Sequence, residues 1–556
     1  MQLRTLLPVF LTLVLLGGTV GGCTDLSVSP KSSVSSDNAF NDSQTIRAFL
    51  AKLYGGLSVT GQQGPAGNPD LVQIDEGFSQ YIRLWWQMQE LPTDEAAIAW
   101  DDGNIQELNT STWSDQNGFL SAMYGRIFFQ VAQVNEFLRQ STTEQLDKKG
   151  IRQDIRPKIK QWRAEARFLR ALSYWHAIDL FGAVPLVTEE DPLGTGGGES
   201  APEMSTKDSL FTFVENELLA ITNSEGQENL PPAGMAEYGR ADKAAAWMVL
   251  AKLYQNAPVY LGDDRSYDAS ERRSASVLKY TGNVIEAYGA SEGALESDYH
   301  NLFLADNHTA KGIIFAVPQD GERSQNYGNT TFLVNASSSG DLASTVGVPD
   351  GGWAGVRTTA EIDSIYQLNS GDNRPMYENI GGSRFYQTGH TRAMTDLKSF
   401  TSGYAAPKYQ NITSDGERGS SGLFPDTDYP MFRLADAYLM YAEAAVRSGQ
   451  QGAYDPVELV NLLRRRAGLS DITSSELDRE FLLNARMREL FWEATRRMDL
   501  IRFGEFTGGT YNWSWKGDAS QGTSTPGHVR LYPLPASEIQ SNPNLTQDDQ
   551  NPGYGG

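Results

Sequence analysis

Only one of the 556 residues is a cysteine and only five are histidines. A single thiol excludes an internal disulfide framework, and metal sites built from clustered cysteines go with it. The histidines do not pair at ligand spacing. His300 and His308 flank a loop-like stretch, and His176 lies beside Trp175 in a helical pattern, as a packed side chain does. Basic charge is scarce too. Lys and Arg number 46 against 69 Asp and Glu, which gives a net charge of −23 and a pI near 4.7. Nothing basic is available to neutralise phosphates, so nucleic acid is excluded as a partner. Acidity favours solubility and disfavours polyanionic ligands, but it identifies no substrate. Catalytic signatures are missing as well: there is no Walker A, His-Glu-x-x-His, Cys-x-x-Cys or Gly-x-Ser-x-Gly sequence. In GTGGGE (194–199), Glu199 stands where a dinucleotide fingerprint needs its third glycine, so this is a loop. No low-complexity linker divides the chain after Ser36, which argues for one compact domain despite the length.

Long apolar runs are confined to one place. Arg4 precedes an apolar stretch, 6–16, then small residues and Val20-Gly21-Gly22-Cys23. A basic start, a short apolar segment and small residues make a secretory signal. The stretch is too short to span a bilayer, which takes about 20 apolar residues. Val-Gly-Gly-Cys resembles a bacterial lipobox, in which the cysteine is acylated and heads the mature chain. Residues 1–22 therefore read as a signal peptide, Cys23 as the lipidation site and 23–36, rich in Ser, as a tether. The mature protein is expected to be anchored by lipid rather than threaded through the membrane.

Helical periodicity, by contrast, is abundant. Met431, Leu434, Ala435, Tyr438, Leu439, Ala442, Ala445 and Val446 form one 3.6-residue stripe. Ala241, Ala244, Ala245, Met248 and Ala251 form another, and Trp162, Ala166, Leu169, Ser173 and Leu180 a third. Further helices are expected at 37–57, 119–140, 209–221, 275–288, 456–467 and 477–503. Alanines alternating with large residues let helices approach closely while the large side chains fill the gaps. This is the logic of tetratricopeptide-like hairpins, here with degenerate spacing. Residues 301–427 differ: they are rich in Gly, Ser, Asn and Thr, with one clear strand at 312–317. A loop-rich insertion of that length in a compact protein is where a site is expected.

Two charged clusters have both a functional and a structural reading. Asp94, Glu95, Asp101 and Asp102 could supply paired carboxylates for glycoside hydrolysis, or ligands for a structural calcium. However, Thr93-Asp94-Glu95 after Pro92 also suits a helix start, and Asp101-Asp102-Gly103 a turn. The second cluster, RMRELFWEATRRMDLIR (486–502), could bind an anion. Its charges, including a Glu493–Arg497 pair at i,i+4, also fit an ion-pair network between packed helices.

Several motifs in order resemble one family. WRAEARFLRALSYWHAIDLFGAVPLV (162–187), RLADAYLMYAEAA (433–445), VNLLRRRAG (460–468), RELFWEATRRMDLIRFG (488–504) and LYPLPASEIQSNPNLTQ with NPGY at the tail are similar to the SusD/RagB nutrient-binding outer-membrane lipoproteins. The resemblance implies a mainly α-helical SusD-like fold in which tetratricopeptide-like hairpins carry an irregular ligand-binding face. Residues 37–300 would form the N-terminal helical region and 301–556 the C-terminal region with its insertion, within one compact domain. It further implies a cell-surface protein with no enzymatic activity and no cofactor, partnered with a SusC-like TonB-dependent transporter. Its ligands would be oligosaccharides, less often peptides. Asp372 and Arg374 of the GDNR element (371–374) would brace the fold.

The resemblance also covers 83–106, where Trp100, Asp102 and Gly103 match a Trp-x-Asp-Gly element near a glycan site. Sugar rings pack their C–H faces on aromatic rings, while their hydroxyls need planar polar partners. Trp100, Tyr327 and Trp353 are therefore the candidate platforms. Asn68, Asp70, Asp101, Arg357 and Lys408 are candidate hydrogen-bonding partners, and Tyr404 a candidate for either role. Trp85 and Trp86 belong to the scaffold. A peptide-binding lipoprotein of the same fold, a glycoside hydrolase and a pure assembly scaffold are the alternatives.

Overall fold

The computed structural model describes residues 40–554, apart from 62, 72–73, 192–200, 224–227, 263–270, 370, 376–384, 386–387 and 451. The signal segment, Cys23, the tether and the GTGGGE loop lie outside the described residues. Helices dominate, and among the described residues none is long and apolar enough to cross a membrane.

The main helices are α1 (Ser43–Ser58), α2 (Tyr81–Glu90), α3 (Gly118–Gln140), α4 (Arg156–Phe181), α5 (Lys207–Thr222), α6 (Lys243–Gln255), α7 (Glu271–Tyr288), α8 (Asn329–Ala336), α9 (Leu434–Ser448), α10 (Pro456–Arg466), α11 (Arg479–Leu490) and α12 (Arg496–Phe503). Local chemistry sets many of their ends. Asp42, Asn117, Thr206, Asp242, Asp455 and Asp478 accept hydrogen bonds from first-turn N–H groups, satisfying donors that a helix start leaves without partners. Gly449 and Gly504 take the left-handed conformation that closes α9 and α12.

From α3 to α7 each helix packs on the next, and α9 then packs on α7 and is followed by α10. These are the expected helix pairs. Their contacts are the small-residue stripes: Ala244, Ala245, Met248 and Ala251 of α6 are fully buried, as are Ala437 and Ala442 of α9. Two short antiparallel ladders tie the loop-rich insertion to this frame. β1 (Ala97–Ile98) pairs with β3 (Val356–Arg357), and β2 (Ile313–Val317) with β4 (Tyr429–Arg433), which runs straight into α9.

The charged segment 486–502 is a buried ion-pair network. Arg486 bridges Asp436 and Asp499, Arg502 bridges Asp499 and Glu443, and Lys252 meets Asp436. Glu489 accepts from Arg374, Arg433 and Arg466. Burial pushes the carboxyls of Asp436 and Glu489 up, but their cationic neighbours outweigh it and hold each at about 2. Arg374 also pairs with Asp372, so GDNR braces the fold as expected.

Two local expectations fail. The helix at 477–503 breaks into α11 and α12, because Trp492 and Ala494 adopt left-handed backbone angles of 60° and 57°. The break is held from far away in sequence. Glu95 accepts from the Trp492 backbone N–H at 2.7 Å, Glu90 from that of Thr495 at 3.0 Å, and the Trp86 indole donates to the Trp492 carbonyl at 3.1 Å. Glu493 consequently pairs with Arg433 and Lys408, and Arg497 with Asp179. The second failure is related: no helix begins at Thr93-Asp94-Glu95. Asp94 takes both oxygens to Arg496, at 2.7 and 2.6 Å, in the interior. Burial raises the Glu95 carboxyl to about 8 and pushes that of its neighbour Glu90 up as well, so this pair retains a proton at neutral pH.

Candidate functional site

Trp100 follows β1 directly. The Ala99 N–H donates to the Gly355 carbonyl at 2.8 Å, and the Gln106 amide holds the Trp100 carbonyl at 2.7 Å. Gly355 has no side chain and a φ of 107°. A Cβ there would stand 2.2 Å from the Trp100 indole nitrogen, so glycine is what lets the ring lie against the β3 entry.

Trp353 arrives on the turn before β3, which is clamped by Asn335 at the end of α8. The Asn335 side-chain oxygen accepts from the Gly352 N–H at 2.9 Å, and its carbonyl accepts from the Trp353 N–H at 2.8 Å. A Cβ on Gly351 would collide with that side chain, which explains the glycine pair before the tryptophan. Tyr327 comes from the turn before α8. Its carbonyl accepts from Arg83 at 2.9 Å, and the Gln80 side chain accepts the N–H of Asn329 at 2.8 Å.

Three distant segments thus deliver three half-buried rings to one place. The Trp100 and Trp353 centroids are 6.4 Å apart with planes at 51°, and Trp353 and Tyr327 are 5.9 Å apart at 57°. Each ring is tilted against the next, so the set, called the arc below, is not a flat wall. Phe78 and Phe332 pack edge-on to Trp100, and Phe424 lies against Tyr327.

Arg83 sits behind the arc. Its guanidinium carbon is 4.0 Å from the Phe78 ring centre, 4.5 Å from Phe332 and 5.5 Å from Trp100, and Nη1–H also donates to the Gly77 carbonyl. Burial lowers its affinity for the proton to about 9, partly countered by Asp75, Asp102 and Glu76. At neutral pH it therefore remains a cation facing aromatic planes, a favourable arrangement.

The polar candidates divide. Asp101 is exposed beside Trp100, and Lys398 reaches it at 2.8 Å. Asn68 is exposed and Asp70 half-buried on the 61–70 loop, with Asp70 engaged by Arg126 at 3.2 Å. That loop leans on the insertion: a Cβ on Gly64 would stand 2.1 Å from the Gln325 carbonyl, two residues before Tyr327.

Three candidates are corrected. Lys408 is wholly buried, with its ammonium shared between Glu493 at 2.7 Å and the Phe491 carbonyl. Arg357 is buried under the 397–402 loop, donating to the carbonyls of Leu397, Ser399 and Ser402. Tyr404 is buried, pairs with Thr358 through the backbone and stacks on Phe385. Trp85 and Trp86 are scaffold, as expected. Trp85 stacks on His176, whose Nδ1 meets the Tyr81 hydroxyl and whose interior position keeps it neutral.

Arg83, Asn335 and Phe332 were not among the sequence candidates. A lone arginine inside an apolar helix (YIRLWW) was the available signal for Arg83, while the Asn335 clamp had none. Among the described residues, no group of three or more acidic, His or Cys side chains is gathered as a cation would need.

A profile of the SusD family matches residues 376–554. The chain is 33% identical to the starch-binding protein SusD of Bacteroides thetaiotaomicron, over 98% of each chain. It is 24% identical to SusD-like protein P2 of Formosa agariphila, over 98% of this chain and 99% of that one. Among solved structures, a SusD homolog from Bacteroides thetaiotaomicron superimposes with a TM-score of 0.69 at 18% identity, covering 94% of this chain and 99% of the other. Surface glycan-binding protein A from the same organism, in complex with laminarihexaose, superimposes at 0.65 and 18%, covering 92% and 99%. At these identities the structural matches establish a shared fold.

Proposed function

Because this chain belongs to the SusD family, we propose that it binds glycans at the Trp100–Trp353–Tyr327 arc and hands them to a SusC-like TonB-dependent transporter. It would do so from the cell surface, held in the outer membrane by acyl chains on Cys23. The observation that carries the reading is the arc itself. Three half-buried rings, one of them more than 200 residues from the other two in the chain, lie within 6.4 Å of their neighbours, fixed by Asn335, Arg83 and Gln106. Rings held this firmly lose little freedom when a ligand arrives, so contact area converts to affinity efficiently.

The ligand class follows from shape and kinship. The planes turn by 51° and 57° along the arc, which suits a chain that curves, with C–H faces against the rings and hydroxyls outward. Asp101 with Lys398 beside Trp100, and Asn68 and Asp70 on the 61–70 loop, are the polar candidates for those hydroxyls. The starch-binding relative, similar along nearly its whole length, makes curved α-glucans the first choice. Capture without catalysis fits the nearby carboxylates, since Asp94 and Glu95 are committed to Arg496 and the Trp492 backbone. No bound cation is part of this reading.

The test is calorimetry of the soluble protein beginning after Cys23, against maltoheptaose, laminarihexaose, cellohexaose and mixed peptides, with product analysis of each mixture. Maltoheptaose is expected to bind without shortening, and cellohexaose, which is straight, to bind more weakly. Binding of peptides alone, or release of shorter sugars, would refute the proposal. Transporter partnership is tested separately, by co-purification of a barrel protein with the lipidated form from detergent extracts.

A further inference from the structure

Phe400 is one of four large apolar side chains exposed among the described residues, at 44%, with Met235, Tyr238 and Leu368. Isolated exposed apolar residues are ordinary, so exposure alone assigns nothing. The loop beneath Phe400 is less ordinary. Arg357 donates from below to the Leu397 carbonyl at 2.8 Å, to that of Ser402 at 2.9 Å and to that of Ser399. The base is closed by Thr391 N–H on the Thr401 carbonyl and Gly403 N–H on the Thr391 carbonyl, both 2.9 Å. Met394 and Leu397 pack sideways on Ala97 of β1, with Trp515 completing that small apolar cluster. The loop is therefore fixed to the strand that leads into Trp100, and Lys398 joins it to Asp101 at 2.8 Å. A buried guanidinium whose two terminal nitrogens both donate to backbone carbonyls holds a loop whose tip still leaves an aromatic ring in water.

We infer that Phe400 is a distal ligand platform: longer glucans leave the arc at Trp100, pass the Asp101–Lys398 pair and stack further sugar units on Phe400. This rests on the glycan-binding reading above and adds to it a selectivity for length. Consecutive Cα atoms are about 3.8 Å apart, so Phe400 lies within roughly 8 Å of Lys398 along the backbone. On this inference a short sugar is held by the rings of the arc alone, and only a longer one adds the contact at Phe400. The clamp by Arg357 means that the ring is presented without ordering a loop on binding.

Affinities for maltotriose and maltoheptaose are measured for the wild type, Phe400→Ala, Phe400→Tyr, Trp100→Ala and Leu368→Ala. Phe400→Ala is expected to weaken maltoheptaose about 3- to 10-fold and to leave maltotriose unchanged, with Phe400→Tyr restoring the loss. Trp100→Ala weakens both sugars and Leu368→Ala neither. An unchanged maltoheptaose affinity in Phe400→Ala, with Trp100→Ala still defective, overturns the distal platform and leaves the arc intact. An equal loss on both sugars also overturns it, since a distal contact must discriminate by length. If the wild type binds neither sugar, the choice of curved α-glucans as ligand fails and this inference falls with it.

Discussion

Glu489 and Trp100 stand in two regions that are both assembled from distant parts of the chain, by opposite means. Around Glu489 the 371–374 turn, β4 and α10 bring three arginines onto one fully buried carboxylate, with the Tyr299 ring beside two of the guanidiniums. Around Trp100, loops bring rings together and leave them half exposed, with the charges moved to the rim or, for Arg83, to the back. Buried charge tolerates almost no geometric freedom, because an unpaired member is so costly. Half-exposed rings leave surface for something else to cover. The first region holds the scaffold in one arrangement; the second presents half-exposed aromatic surface.

Substitutions should separate the two. The largest effect is expected from Glu489→Ala, which takes the buried carboxylate from Arg466 and leaves Arg374 with Asp372 and Arg433 with Glu493 to balance an excess of interior positive charge. Chemical denaturation should show a loss of about 3–5 kcal/mol, while the fraction that remains folded binds maltoheptaose as the wild type does. Next comes Trp100→Ala. Its sugar affinity should fall on the order of 30-fold, the scale of an aromatic hot spot, with a smaller loss of stability than Glu489→Ala. Equal damage to stability and binding in either variant would erase the distinction between the regions.

Acid should act on the scaffold. Asp436 and Glu489 are held at about 2, below the ordinary carboxylate range near 4. Between those values the folded state binds fewer protons than the unfolded chain, so stability rises with pH there. Their contribution is complete above about pH 4.5 and is lost as pH falls toward 2. Glu95, raised to about 8, has the opposite sign: the folded state holds its extra proton between about 4.5 and 8, and stability declines as pH rises through that window. Denaturation midpoints from pH 2 to 9 should show both limbs, and Glu95→Gln should flatten the alkaline one.

The smallest effect belongs to Lys398→Ala. Its bond to Asp101 joins two exposed side chains, so stability should change by less than about 1 kcal/mol. Maltoheptaose affinity should weaken only a few-fold, read by calorimetry.

What could be read from the sequence follows the same division. Helix pairs were visible because a 3.6-residue stripe is a local property, and three of the half-buried rings because flanking glycines or acidic turns expose a large aromatic. The fate of polar residues was not visible. Lys408 and Arg357 occur in a Gly- and Ser-rich segment that looks solvent-facing, yet one is committed to Glu493, 85 residues away, and the other to a loop some 40 residues on. Periodicity likewise continued through Phe491–Thr495, where Glu90 and Glu95, about 400 residues earlier, stabilise a break in the helix. A local pattern carries no record of such partners.

The most direct measurement is a crystal structure of the soluble protein soaked with maltoheptaose. Sugar density should lie across the rings of Trp100, Trp353 and Tyr327, with hydroxyls toward Asp101 and Lys398. Sugar density found instead in the 770 Å³ groove lined by Glu361, Leu368, Arg496 and Tyr511, with the three rings bare, would contradict the assignment of the site.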